Sequence, residues 1–137
     1  MANALYTLAR QSFLNGEIDW TDNDIKCVLV DTADYTVNIS TDQYFDDIPS
    51  AAVVATSSNF STKTTTNGVA DADDVVFSSV SSTEDPCEAL VIYQDTGTPG
   101  TSRLIAYIDT ATGLPVTPND ADITVTWDSG ANKIFSL

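Results

Sequence analysis

The sequence predicts an all-β protein, a β-sandwich or flattened barrel of about eight to ten short strands, with one short N-terminal helix. Short apolar or alternating runs recur along the chain, and Gly, Pro, Thr, Asn and Asp fill the connections between them. A chain of 137 residues has the size of one domain and buries enough surface for a core without metals or disulfides. We therefore predict a single β domain over residues 1–137.

Residues 1–16 are predicted to hold the helix, over residues 4–14. Four apolar residues recur near helical spacing, with Phe13 beside them in the sequence. These four residues are Leu5, Leu8, Ala9 and Leu14. Asn3 fits the N-cap position, and Asn15-Gly16 closes the run as a C-cap would. The apolar stripe either seals one end of the β core or forms an arm that grips a neighbouring subunit.

Two strands are predicted next. Residues 17–24 alternate apolar and acidic side chains, which predicts a short edge strand with Ile18 and Trp20 pointing inward. The run that ends at Asp31 is apolar except for Lys26, and it predicts a central strand beginning at residue 25.

The mixed stretch at residues 32–50 predicts a protruding loop. Residues 42–49 within it fit one helical turn that the proline at its end stops. Tyr44, Phe45 and Ile48 are too apolar to be left in water. They either cover the core or form a contact patch on a partner.

Short β runs resume in the middle of the chain, and residues 88–137 predict a C-terminal β-meander. The middle runs cover residues 51–55, 62–66 and 74–80, and Asn67-Gly68 is a strong turn signal between the last two. The meander has four runs, at residues 88–95, 103–109, 122–128 and 133–137. Residues 89–93 are apolar throughout, as expected of a strand buried on both faces, whereas residues 123–127 alternate with Thr and predict one exposed face.

Charge is the unusual property of the composition. The 20 Asp and Glu residues outnumber the 5 Lys and Arg residues, so the net charge is −15, and histidine is absent. A surface this acidic repels nucleic-acid backbones and anionic membranes, and it attracts basic partners or divalent cations. We therefore expect no nucleic-acid partner and no membrane partner. The sequence shows no signal-peptide pattern and no apolar run of membrane-spanning length, so a soluble chain is expected.

Catalytic chemistry is not expected. Without histidine, Ser–His and Cys–His catalysis and most zinc sites are excluded. Adjacent carboxylates such as Asp46-Asp47 would suit glycoside hydrolysis, but pairs of this kind arise without function among so many acidic residues. We predict a protein with no catalytic residues and no cofactor. Cys27 and Cys87 are expected to remain unbridged, with Cys27 buried in its strand.

Two acidic turns are candidates for a calcium site. Hard cations prefer several oxygen ligands, and Asp71, Asp73 and Asp74, or Asp22 with Asp24, supply carboxylates at close spacing. Neither turn contains the glycine and the distal glutamate of an EF-hand loop. The alternative is an acidic turn that is only solvated. We also expect a divalent cation to stabilise the protein by relieving repulsion among its acidic residues.

An ordered series of motifs spans nearly the whole chain. Three strands leave through an Asp-Thr step, at residues 31–32, 95–96 and 109–110. The last step continues as Ala-Thr-Gly-Leu-Pro-Val-Thr-Pro and leads into Ile-Thr-Val-Thr-Trp-Asp at residues 123–128. Four further motifs complete the series. They are the opening Ala-Asn-Ala-Leu at residues 2–5, Phe-Leu-Asn-Gly-Glu-Ile-Asp at 13–19, Leu-Val-Ile-Tyr at 90–93 and Leu-Ile-Ala-Tyr-Ile at 104–108. This string resembles a family of small structural proteins of tailed phages.

The resemblance implies a function. Proteins of this family look like capsid decoration, or cement, proteins of phages, including phages of cyanobacteria. It therefore implies a non-enzymatic virion protein, made in the host cytoplasm, that binds the major capsid protein on the outer capsid surface and stabilises contacts between capsomers. A chain of this size needs symmetry to multiply its contacts, so we expect a homo-oligomer, a dimer or a trimer. The candidate contact residues are Leu5, Leu8, Phe13, Tyr44, Phe45 and Ile48.

Two alternatives stay open at the level of sequence. A virion surface module would bind host carbohydrate or a receptor through exposed aromatic residues such as Tyr35, Tyr44 and Tyr93. The lack of a convergent cluster of polar and aromatic residues at short spacing counts against that reading. The second alternative is a structural protein associated with the tail.

Overall fold

The computed structural model describes residues 3–137, and Met1 and Ala2 of the predicted N-terminal segment lie outside the described residues. Within this range the chain forms short β-strands and one α-helix. In chain order they are β1 (Ala4–Leu5), α1 (Thr7–Leu14), β2 (Ile25–Val30), β3 (Val53–Thr56), β4 (Val69–Ala70), β5 (Val75–Phe77), β6 (Ala89–Gln94), β7 (Leu104–Ile108), β8 (Ile123–Val125) and β9 (Phe135–Ser136). The predicted all-β class with one short N-terminal helix is confirmed.

Five of the strands form an antiparallel sheet in the order β1-β7-β6-β2-β3. β2 and β6 lie at its centre and pair along their whole length, from Ile25 opposite Gln94 to Val30 opposite Ala89. Every residue of these two strands except Lys26 is buried, which explains their nearly continuous apolar sequence. The prediction of central strands in these two runs is confirmed.

The first face of this sheet packs against the shorter strands. Side chains alternate between the two faces along each strand, so Cys27, Leu29 and Ile92 point to the same side. They form one core with residues of the small strands, among them Phe77 of β5 and Ala70 of β4. Two-stranded sheets, β4 with β9 and β5 with β8, thus cover this face.

The second face is covered by α1 and by the loop between β2 and β3. Val28 and Val91 of the sheet pack there with Tyr6 and Ala9 from the N-terminal segment and with Ile48 from the loop. The sheet therefore has a protein layer on both sides.

The helix begins at Thr7, later than predicted, because the chain before it belongs to the sheet. β1 pairs with β7, and the Tyr6 N–H donates to the Ile105 carbonyl at 3.0 Å, so the backbone stays extended up to Tyr6. Tyr6 therefore takes the N-cap position. Asn3 does not cap the helix: its side-chain oxygen accepts the N–H groups of residues 109 and 110, each at 2.9 Å.

The predicted edge strand at residues 17–24 is not formed. The Asp19 carboxylate accepts the Thr21 N–H at 3.0 Å and closes a turn in its place. Ile18 and Trp20 nevertheless point inward as predicted, each 4% exposed.

The predicted strand from Thr62 contributes one bridge, between Thr64 and Asp71. Thr62 has a φ of 54°, which breaks the extended backbone at the start of that run. The turn signal between these runs is confirmed, since Asn67 and Gly68 have φ of 58° and 77°. β3 and β5 overlap the other two predicted middle runs.

The predicted C-terminal meander holds for its first two strands only. β6 and β7 form an antiparallel hairpin, but β8 pairs with β5, and β9 pairs with β4. The reason is that β1 already occupies the far edge of β7, which closes that edge to β8. Carboxylates fix the new pairing: Asp74 accepts the Trp127 N–H at 3.0 Å, and Asp122 accepts the Ser79 N–H at 2.8 Å.

Neighbouring residues of β5 provide a test of this layer. Phe77 is 1% exposed, whereas Val76 is 43% exposed on the other face of the strand. We expect Phe77→Ala to lower the free energy of unfolding by about 3–5 kcal/mol, because it removes a buried ring and leaves a cavity. The matched control Val76→Ala should cost less than about 1 kcal/mol. Urea titration measures both, and equal losses would contradict the packing of β5 on the central sheet.

Candidate functional site

The loop before β3, predicted either to cover the core or to contact a partner, packs on the core. Ile48 is 3% exposed, and Phe45 packs against Tyr93 with ring centroids 4.6 Å apart. Tyr44 stays half-buried, with the Arg103 guanidinium 5.7 Å from its ring centroid. Of the three candidate contact residues in this loop, Ile48 is therefore buried and not exposed to a partner.

The N-terminal contact candidates divide between core and surface. Leu5 and Phe13 pack against the first core, and Phe13 lies 6.0 Å from the ring of Phe135. Leu8 is half-buried. Leu14, the last residue of α1, is 89% exposed and is the most exposed large apolar side chain in the described part of the chain. The end of α1 therefore presents apolar surface to solvent.

A concave apolar surface lies beside the end of α1, where the helix, the turn after it and β9 meet. We call it the helix-end groove. It has a volume of about 270 Å³ and is lined mainly by Phe13, Ile18, Trp20, Phe135 and Leu137, with Asp19 at its rim. Leu137 is 66% exposed. The residues that form the groove come from both ends of the chain and from residues 65–70 in its middle, so no local sequence pattern indicated it.

Ring packing and hydrogen bonds hold the walls of the groove. The rings of Trp20 and Phe135 meet edge to face with centroids 5.2 Å apart. The Trp20 indole N–H donates to the Asp71 carbonyl at 3.1 Å, and the Leu137 N–H donates to the Gly68 carbonyl at 3.1 Å. The groove is therefore formed before any partner arrives.

The rim of the groove is negatively charged. The Asp19 carboxylate accepts the N–H groups of Asp22 and Thr21 at 3.1 and 3.0 Å, and the Thr21 hydroxyl at 2.9 Å. The Asp22 N–H, followed by the Thr21 hydroxyl, lowers the pKa of Asp19 below its ordinary value. Asp19 is therefore ionised throughout the neutral range.

A larger cleft, of about 820 Å³, lies between the central sheet and the C-terminal segment. Leu29 and Leu90 of the sheet line it on one side, and Asp122 and Trp127 line it on the other. The Trp127 indole N–H is held by the Asp73 carbonyl at 3.1 Å. The cleft has the size of a small-molecule site.

The carboxylates of Asp71, Asp73 and Asp74, predicted as a calcium site, do not form one cluster. Asp73 accepts the hydroxyls of residues 61 and 62 at 3.0 and 2.7 Å. Asp74 accepts the backbone N–H of Trp127. Asp73 and Asp74 thus act as acceptors that join distant loops.

Another group of three carboxylates does lie together, the one such group in residues 3–137. The oxygens of Asp31, Asp34 and Asp85 are all within 4.8 Å of one another. Asp31 is 6% exposed and accepts the Ala33 N–H at 2.8 Å, whereas the other two are exposed. Asp31 begins the first Asp-Thr step, but nothing in the sequence indicated that Asp85 would lie beside it.

Two of the three tyrosines considered for carbohydrate binding are buried. Tyr35 is 3% exposed and Tyr93 is 5% exposed. The Tyr35 hydroxyl donates to Asp42 at 2.7 Å and lies 3.0 Å from the Tyr6 hydroxyl, beneath the loop that covers the sheet. These rings are therefore not available to stack on a sugar at the surface.

Both cysteines are free thiols and fully buried, as predicted for Cys27. Burial raises the pKa of the Cys27 thiol far above its ordinary value. Burial, and then the negative charges of Glu88 and Asp31, raise the pKa of Cys87 to about 12. Both thiols are therefore protonated at neutral pH.

No protein-family model matches this chain, and no curated protein is significantly similar to it. Among residues 3–137, no helix combines the length and the apolar character needed to cross a membrane. The functional interpretation therefore depends on the residues and on the resemblance they carry.

Alkaline pH should destabilise the fold. Burial raises the pKa of Cys27, Cys87, Tyr6 and Tyr35, so the folded state binds these protons more tightly than the unfolded state. Their contribution to stability is complete below about pH 8 and is lost as pH rises toward 12, because the unfolded groups ionise first. The urea concentration at the midpoint of unfolding should therefore be lower at pH 11 than at pH 8.

The burial of the two thiols has a separate test. Iodoacetamide should label neither thiol at pH 8 without urea, and rapid labelling of Cys87 would contradict its burial.

A divalent cation should stabilise the protein. We expect calcium or magnesium to raise the midpoint of thermal unfolding above that in chelator at matched ionic strength, because the chain carries a net charge of −15. Asp34→Asn tests the group formed by Asp31, Asp34 and Asp85, and Asp71→Asn is its control outside that group. Equal midpoints with cation and with chelator would contradict specific binding and leave only screening by salt.

Proposed function

We propose that this chain is a non-enzymatic structural protein of a phage virion, a decoration protein that binds the major capsid protein on the outer capsid surface and stabilises contacts between capsomers. The observation that carries the proposal is the ordered string of motifs resembling small phage structural proteins. Much of that string forms β6 and β7 with the Asp-Thr steps that follow them, and β8.

Surface charge supports the proposal. Lys26 pairs with Asp95 at 2.7 Å, and Arg103 pairs with Glu17 at 3.2 Å, so two of the few basic side chains are already neutralised. The rest of the acidic residues give the surface a strong negative field. Such a field steers the protein to a basic protein surface and away from nucleic acid and anionic membranes.

The end of α1 is the better supported contact. Ile48 and Phe45 of the alternative loop pack on the core, whereas Leu14 is exposed and Phe13 lines the helix-end groove. In this proposal electrostatics orients docking, and burial of apolar surface holds the complex. Assembly as a dimer or trimer on a capsid symmetry axis multiplies the contact.

Rebinding to stripped capsids tests the function. Capsids freed of this chain should bind the wild-type protein, with affinity that falls as salt concentration rises, and should then resist heat better. An unrelated protein of similar size and net charge is the matched control for general electrostatic attraction. Electron microscopy of the rebound particles should show added density on the outer shell. Density on the tail would support the tail-associated role instead, and absence of binding to both would contradict the proposal.

A further inference from the structure

We infer that the helix-end groove is a docking site for a basic and apolar segment of a partner protein, whose apolar side chain enters the groove while Lys or Arg residues meet its acidic rim. The inference rests on the proposed function for the identity of that partner, the capsid protein. It adds the location and the chemistry of the contact.

The size and lining of the groove favour a side chain as its occupant. A volume of about 270 Å³ lies at or below the lower end of small-molecule sites, which hold roughly 300–1,000 Å³. Aromatic rings of Phe13, Trp20 and Phe135 form its walls. Apolar anchors that enter aromatic pockets are the residues that dominate binding energy in protein interfaces.

One strongly exposed apolar residue lines the groove, and another ends the helix beside it. Leu14 and Leu137, at 89% and 66%, are the two most exposed large apolar side chains in residues 3–137. Leu137 lines the groove, and Leu14 directly follows Phe13, which also lines it. Single exposed apolar residues are ordinary, but apolar residues gathered around a concave aromatic surface mark an interaction site.

The charge around the groove selects a basic occupant. Asp19 is the charged side chain among the residues that line the groove, and the segment around it, residues 17–24, contains four carboxylates and no basic residue. Arg103 pairs with Glu17, and the Lys63 ammonium bonds to the Asn23 carbonyl, so two cations offset part of this charge. The rim keeps a negative excess. An apolar segment flanked by Lys or Arg complements both parts of the site.

The same charge argues against a second copy of this chain as the occupant. Each copy carries a net charge of −15, so bringing two acidic rims together is opposed by repulsion. A preformed groove also lowers the ordering cost of binding, since Trp20 and Leu137 are already held by hydrogen bonds to Asp71 and Gly68. A basic partner gains from both features.

Surface variants test the site without touching the core. Leu137→Gln removes an exposed apolar side chain that lines the groove, and Leu14→Gln removes one at the end of α1 beside it. Val76→Gln removes an exposed apolar side chain on β5 and is the matched control. All three should unfold at the wild-type urea midpoint. Each groove variant should weaken binding to stripped capsids by on the order of tenfold, whereas the control should bind as wild type does. If all three variants bind stripped capsids as tightly as the wild-type protein does, the groove is not the docking site, and the proposed function stands.

A peptide probe separates the groove from the proposed function. The probe is the acetylated amide of Lys-Leu-Lys-Leu-Lys, compared with the peptide in which Glu replaces every Lys. In nitrogen-15 NMR spectra, the Lys peptide should shift the Trp20 indole signal and the Gly16 and Gly68 amide signals, and Leu137→Gln should reduce the effect. These shifts without capsid binding would support the groove while refuting the capsid as its partner. Absence of shifts, equal shifts from the Glu peptide, or concentration-dependent shifts of the protein alone that indicate self-association would overturn the inference.

Discussion

The pairing of β2 with β6 is the constraint on which the rest of this structure depends. These strands bury every residue except Lys26, whose ammonium pairs with Asp95 at 2.7 Å. Two adjacent strands that are apolar on both faces are stable only if both faces are covered. The chain meets this requirement with two different layers. α1 and the loop before β3 cover one face, and four very short strands cover the other.

The short strands need stabilising contacts beyond their backbone pairing, because each pair has few inter-strand hydrogen bonds. β4 and β9 are two residues long, and β5 and β8 are three. Side-chain carboxylates reinforce them over long sequence separations. Asp120 accepts the Ser82 N–H at 2.8 Å, while Asp74 and Asp122 join the same two segments. Charge-assisted hydrogen bonds of this kind are stronger than neutral ones, so a few of them fix the register of a small sheet.

The parts of the fold that sequence predicts are those with a local pattern. Patterns of a few neighbouring residues predicted three features correctly. These are the apolar runs of β2 and β6, the end of the helix at Asn15-Gly16 and the Asn67-Gly68 turn. Two of the failures share one cause, competition from distant residues. Asn3 has the chemistry of an N-cap but binds residues 109 and 110, and β1 closes the edge that a meander would need for β8. The helix-end groove joins segments that are far apart in the sequence. The sequence therefore indicated its lining residues as apolar but did not predict that they lie together.

The turns alone do not explain the abundance of aspartate. Asp31, Asp95 and Asp128 each accept a backbone N–H from two residues later, and Asn38 and Asn119 do the same with an amide oxygen. Since asparagine supplies this acceptor without charge, the turns would form with far fewer carboxylates. Every additional carboxylate increases the repulsion that opposes a compact chain. In the proposed function the excess charge serves recognition: it would orient the protein on a basic surface, where apolar residues at the end of α1 would hold it.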